Sequence, residues 1–228
     1  MSTLTNTQKV TSVAAAVTAA LAGYTTAQAQ LEEIVVTATK KSESLQDIAG
    51  SVQALTEDTL KKANVVGMED YAKLIPSMSY VNYTPGTGKV YFRGIADDNG
   101  TFISEESSAL YLNEQPITQA GMAADVRMVD VNRIEALAGP QGTLYGSSAQ
   151  SGAIRIITNK PDTSEFSAVG DMTLKMMGEG ESSYDFSGVV NVPITDNFAI
   201  RAVGFTAEDG GFIDVVDGQS ARFGLNNN

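Results

Sequence analysis

No cysteine, no histidine and no tryptophan occurs in the 228 residues of this chain. The missing thiols exclude disulfides and thiolate metal sites, and the missing imidazoles remove the commonest general base and the commonest transition-metal ligand. Ser147, Ser148 and Ser151 therefore have no histidine partner. Most catalytic sets cannot be assembled, so an enzyme is not expected and no cofactor or metal is called for. Basic residues are scarce too: 15 Lys and Arg stand against 27 Asp and Glu, a formal net charge of −12. That balance argues against a nucleic-acid-binding surface and against general attraction to anionic lipid. Long apolar runs are lacking beyond the N-terminal region, so any membrane contact must be made with strands rather than helices. Asp97-Asp98-Asn99-Gly100 with Glu105-Glu106 lacks the ligand spacing of an EF-hand, and Gly86-Thr87-Gly88-Lys89 precedes a strand instead of opening a helix, which excludes a phosphate loop.

What is present begins with an export signal over residues 1–29. Lys9 is its only charge, Val10 to Gly23 is mostly Ala, Val and Leu, and Ala27-Gln28-Ala29 puts small residues, Ala27 and Ala29, at the cleavage positions. The apolar stretch is well short of the ~20 residues of a spanning helix. Cleavage leaves a chain beginning near Gln30, and Glu33-Ile34-Val35-Val36-Thr37-Ala38-Thr39 follows almost at once. Such a β-prone run near a free end suits strand addition to another protein's sheet, while its local pattern also suits an edge strand of its own fold.

Three parts follow from the patterning. Residues 30–43 form a polar leader without a packing pattern, expected to be mobile. Residues 44–162 alternate in type as in a compact α+β domain, a mixed β-sheet with short helices. Val52–Leu55 reads as a strand, Thr56 as the cap of a helix over Glu57–Ala63, and Met68–Leu74 as a second helix stopped by Pro76. Strands are predicted at Val90–Arg93, Ala109–Leu112, Arg133–Leu137 and Ala153–Ile157. Residues 163–228 switch to dyad alternation, with Phe166, Ala168, Gly170, Met172, Leu174 and Met176 on one face and Ser167, Asp171, Thr173 and Lys175 on the other. Tyr184–Ile194 and Phe198–Ala202 repeat it. This is the pattern of the first antiparallel strands of a transmembrane β-barrel, which a soluble sandwich shares. Three such strands leave a barrel incomplete, since about eight are needed to close one. The Met172, Met176 and Met177 cluster reads as apolar barrel surface, and eight Tyr and eight Phe stand in for the absent Trp of an aromatic girdle.

The run Asp130-Val131-Asn132-Arg133-Ile134-Glu135-Ala136-Leu137-Ala138-Gly139-Pro140-Gln141-Gly142-Thr143-Leu144-Tyr145-Gly146, followed by Gly152–Thr158, closely resembles the plug signature of TonB-dependent outer-membrane receptors. Ser44-Leu45-Gln46-Asp47, Arg93-Gly94 and Ala109–Leu112 before Pro116-Ile117 fall in the family's order. Glu33, Ile34, Val35, Val36 and Thr37 then resemble its TonB box. The resemblance implies an outer-membrane importer of a Gram-negative bacterium: a barrel of about 22 strands blocked by the plug, a scarce nutrient such as a ferric siderophore as ligand, and TonB with its inner-membrane energising complex as partner. Outer-membrane lipid is a further partner if the barrel is complete. If only this portion is made, a periplasmic TonB-binding plug is the alternative. The resemblance assigns Arg93 to locking the plug against acidic groups of the barrel wall. Where the family often has a second basic residue this chain has Ala138, and Asn113-Glu114 replaces an Asp-Gly turn. Gly139, Pro140, Gln141 and Gly142 are expected in a tight, donor-poor turn, with Gly146 and Gly152 allowing close backbone approach. Ligand contacts are expected at Tyr83–Gly88 and Asp97–Ser104.

Overall fold

The computed structural model describes residues 33–84, 87–96, 106–118, 123–176 and 182–210. Ala27 and Ala29 of the signal sequence and the apex 97–104 lie outside them. From Ile34 onward the described residues belong to one compact unit. It opens with a hairpin of two short strands, β1 (Val35–Val36) and β2 (Glu43–Ser44), paired antiparallel.

The strand β3 (Ser51–Thr56) runs directly into helix α1 (Glu57–Lys62). Thr56 Oγ1 accepts from the N–H of Thr59 at 3.4 Å, Glu57 and Asp58 sit at the positive N-terminal end of the dipole, and each pairs with a lysine one turn on, Lys61 at 2.6 Å and Lys62 at 2.7 Å. Helix α2 (Met68–Leu74) starts at Gly67, where the carboxylate of Asp125 accepts from Met68 N–H at 2.7 Å. A Cβ on Gly67 would lie 3.0 Å from that carboxylate, so the cap leaves little room for a larger residue. Next come β4 (Met78–Thr84), β5 (Thr87–Phe92), β6 (Ser108–Leu112), β7 (Gln115–Pro116) and β8 (Ala123–Ala124). The long strand β9 (Val131–Ala138), a four-residue helix α3 (Gly142–Tyr145) and β10 (Gly152–Thr158) complete the domain.

Its principal sheet has the order β3-β9-β10-β6-β7, parallel only between β10 and β6, and a small sheet β4-β5-β8 stands beside it. Period-two alternation sorts the central residues onto two faces. Leu55, Ile134, Ala136, Ile154 and Ile156 point to the helix side, packing with Leu60, Met68, Tyr71 and Ile75. Leu137 and Ala153 point to the other side, where Tyr145, Ala149 and Ala38 of the leader cover them. The leader from Glu33 onward is therefore packed on the domain, unlike the mobile segment expected: Val36 and Ala38 are both fully buried.

Beyond the domain, β11 (Ser167–Lys175), β12 (Ser183–Thr195) and β13 (Phe198–Glu208) form an antiparallel meander. Met172, Leu174, Tyr184, Phe186, Val192, Ile194, Phe198 and Ile200 expose their side chains on its outward face, whereas Asp185, Asn191 and Arg201 turn inward toward the domain. The fold is an α+β plug-like domain followed by barrel-type strands that do not close among the described residues. No helix of the described residues is long and apolar enough to cross a membrane, which says nothing of a β-barrel.

Candidate functional site

The face of the principal sheet away from α1 and α2 carries Glu135 on β9 and Arg155 on β10, each between apolar neighbours. The two are register partners, with side chains 0% and 1% exposed. A buried charge is tolerated only when paired and hydrogen-bonded. Arg155 Nη1 donates to Glu135 Oε2 at 2.6 Å, and Arg133 Nε donates to Glu135 Oε1 at 2.8 Å. Arg155 also pairs through Nη2 with Glu114, which Lys40 meets at 2.6 Å. The hydrogen bond from Lys40, reinforced by Arg155, holds the Glu114 carboxyl below its ordinary range.

The N-terminal segment closes this cluster. Thr37 N–H donates to Glu135 Oε1 at 2.8 Å, and Thr37 Oγ1 accepts from Arg155 Nη1 at 2.8 Å and from Arg133 Nη2 at 3.2 Å. One residue on, the Tyr145 phenol donates to the Ala38 carbonyl at 2.5 Å. Lys40 Nζ lies 4.7 Å from the Tyr145 ring centroid, a cation–π contact. Burial pushes the Tyr145 phenol up to about 12. Of the residues assigned to the box, Glu33 and Val35 are exposed, Ile34 and Thr37 half-buried and Val36 buried.

The structure thus brings together two sets the sequence kept apart, the box (Thr37) and the plug motif (Tyr145). Sequence reasoning did not select Glu135, Arg155, Arg133 or Glu114 as site residues. For Glu135 and Arg155 the signal was a charge set between apolar neighbours, Ile134 and Ala136 in one strand and Ile154 and Ile156 in the other. Around Tyr145 the motif residues form a turn that leads into α3. Gly139 N–H donates to the Ser151 carbonyl and Gln141 N–H to the Ala149 carbonyl, and the Gln141 carbonyl accepts from both Leu144 and Tyr145 N–H. Gly139 (φ 106°) and Gly146 (φ 80°) occupy the left-handed region. At Gly146 that conformation is the requirement, because a Cβ would meet nothing within 4 Å; Gly142 shows neither constraint. Close approach occurs at Gly152, where a Cβ would lie 2.4 Å from the Phe92 ring and 2.6 Å from the Leu137 carbonyl oxygen. Asn113 (φ 55°) takes the left-handed position of its turn, which asparagine tolerates.

Arg93 and Gly94 form a left-handed turn after β5, with φ of 51° and 77°. The Arg93 side chain is exposed, and among the described residues no carboxylate pairs with it. Ala138 is buried in the helix-side core. The domain meets the strand meander through other charges: Arg127 pairs with Asp185 and, at 3.4 Å, with Asp209, while Arg201 donates to Asp130 at 2.7 and 2.5 Å. These pairs flank a gap of about 370 Å³ between α1 and the meander, lined by charged side chains together with apolar ones such as Leu60, Val65, Val169 and Val189. The two parts are therefore joined there by ion pairs around an open space rather than by continuous packing.

Residues 44–153 match the family described as TonB-dependent Receptor Plug Domain. The pesticin receptor of Yersinia pestis is 31% identical over 152 residues, which cover 63% of this chain and 21% of that relative. Among solved structures, the fold is similar to the ferric yersiniabactin uptake receptor of Yersinia pestis, with a TM-score of 0.56 and 23% identity over 68% of this chain and 24% of that one. It is also similar to the ferripyoverdine receptor of the outer membrane of Pseudomonas aeruginosa, with a TM-score of 0.61 and 19% identity over 76% and 22% of the two chains. The chain spans about a fifth of the length of the curated relative it matches. With the mixed sheet and short helices described above, residues 44–153 of this chain match the plug domain of TonB-dependent receptors.

Proposed function

We propose that the chain is the N-terminal part of an outer-membrane receptor for energy-coupled uptake, in which Glu33–Thr37 is the segment engaged by TonB. The observation that carries this reading is the docking of a β-prone N-terminal segment onto the plug by side-chain contacts to Thr37, a phenol to Ala38 and the burial of Val36 and Ala38, with no ladder to the principal sheet among the described residues. Such an attachment can be exchanged for a strand pair with a partner without dismantling the sheet beneath it. The outward apolar faces of β11–β13 suit lipid, and Arg93, unpaired among the described residues, is assigned to a wall contact outside these strands. The ligand favoured is a ferric siderophore, by analogy with the named ligands of the structural relatives. Residues 83–88 and 97–104 are assigned to its recognition, and the importer's site is the outer membrane.

Val35→Pro removes a strand donor and bends the segment. The expected result is loss of TonB capture by the chain; capture at the parental level overturns the assignment of Glu33–Thr37.

A further inference from the structure

We propose that Glu135, positioned by Arg155, is a latch that sets how often the N-terminal segment is available to a partner. This rests on reading Glu33–Thr37 as the TonB box, and it adds the element that regulates it. The Thr37 N–H is a main-chain donor of the kind an incoming strand needs, and in this structure the Glu135 carboxylate occupies it. Docking on the plug and full pairing with a second strand thus compete for one hydrogen. A carboxylate buried with two arginines has few alternatives of its own, because both its oxygens are already engaged. The Thr37 hydroxyl adds a second tie, to Arg155 and Arg133. Apparent partner affinity is lowered by the fraction of chains that remain docked. Loosening the latch raises that affinity without any new contact to the partner.

The pair can be removed without leaving a fully buried lone charge, since the arginine that remains, Arg133, has a side chain 18% exposed. Replacing a buried ion pair by apolar groups of similar volume is often neutral for stability, whereas removing one partner is strongly destabilising. The test therefore uses the double variant Glu135→Leu with Arg155→Met. The chain has no cysteine, so a single introduced one reports local opening. Val36→Cys probes the fully buried position beside Thr37, and Ala72→Cys on α2, 6% exposed, probes the helix-side core. Labelling of the full chain by a polar maleimide is the readout. The double variant is expected to raise the Val36→Cys rate at least about tenfold while the Ala72→Cys rate stays within about twofold of the parent. An unchanged rate at position 36 overturns the latch. Equal acceleration at both positions also overturns it, because docking would then be a by-product of plug folding. A parallel titration with a soluble TonB fragment, in chains without introduced cysteines, separates this proposal from the reading beneath it. Tighter binding in the double variant supports both. Faster labelling at position 36 with no TonB binding in either chain leaves the latch standing and removes TonB as the partner.

Discussion

The phenolic O–H of Tyr145 donates to the main-chain carbonyl of Ala38 at 2.5 Å, across 107 residues of sequence. The hydroxyl is the chemical tie between the Gly-Pro-Gln turn and the N-terminal segment, and its ring packs against Tyr111 at a centroid distance of 5.2 Å.

Tyr145→Phe keeps the ring and removes that tie. The expected cost is about 1 kcal/mol, with a further contribution if the Ala38 carbonyl is left dry. Chemical denaturation monitored by circular dichroism measures it.

Burial raises the Tyr145 phenol to about 12 in the folded chain, and the same cause raises Tyr80 to about 12. A raised tyrosine value means that the unfolded chain releases its proton first. The associated stability is complete below the ordinary value near 10 and is lost as pH rises from there through about 12. Phenolate absorbance should show these two groups titrating after the exposed tyrosines, and Tyr145→Phe should remove one of the late steps.

Asp130 joins the plug to Arg201 of β13. Burial opposes its charged form, but hydrogen bonds from Arg201 and Asn159 outweigh that effect and hold the carboxyl below 3.8. Its contribution is present above that value and disappears as pH falls through the depressed one. Asp130→Asn is expected to cost about 1.5–3 kcal/mol at neutral pH and to flatten the acid limb of a stability profile, measured by urea unfolding across the acidic range.

Gly152→Ala places a methyl group against the Phe92 ring and the Leu137 carbonyl oxygen. Because one of the two clashes, at 2.6 Å, is with main chain, relief requires β9 and β10 to shift, and a loss of about 1–3 kcal/mol or more is expected. The midpoint of thermal unfolding reports it, and a value unchanged from the parent would contradict the tight packing seen at this position.

Much of the plug could be read locally. Helix α2 occupies the predicted Met68–Leu74, because a first-turn acid pair and Pro76 mark its ends. The central strands lie within a few residues of expectation, since short apolar stretches bounded by turn residues have few alternatives. Strand β4 was not anticipated. Its Ser and Asn residues dilute the β signal, and it is stabilised by a hairpin partner, β5. The packed leader was equally invisible, because its contacts reach Glu135 and Arg155, 98 and 118 positions away. Those two residues offered a usable sign: a charge with apolar neighbours on either side inside a strand must find its opposite when the strand is buried.

The short ladder between β1 and β2 gives the N-terminal strand two unlike margins. Leu45 N–H donates to the Ile34 carbonyl, and Val36 stands opposite Glu43, so by antiparallel alternation Ile34 and Val36 address β2 while Val35 and Thr37 turn their amides the opposite way. One margin is zipped to a near neighbour in the same chain; the other ends on a carboxylate. Letting go of that carboxylate opens a strand margin to a newcomer while the hairpin stays zipped, so the segment can be handed over already extended instead of being ordered anew at the moment of capture.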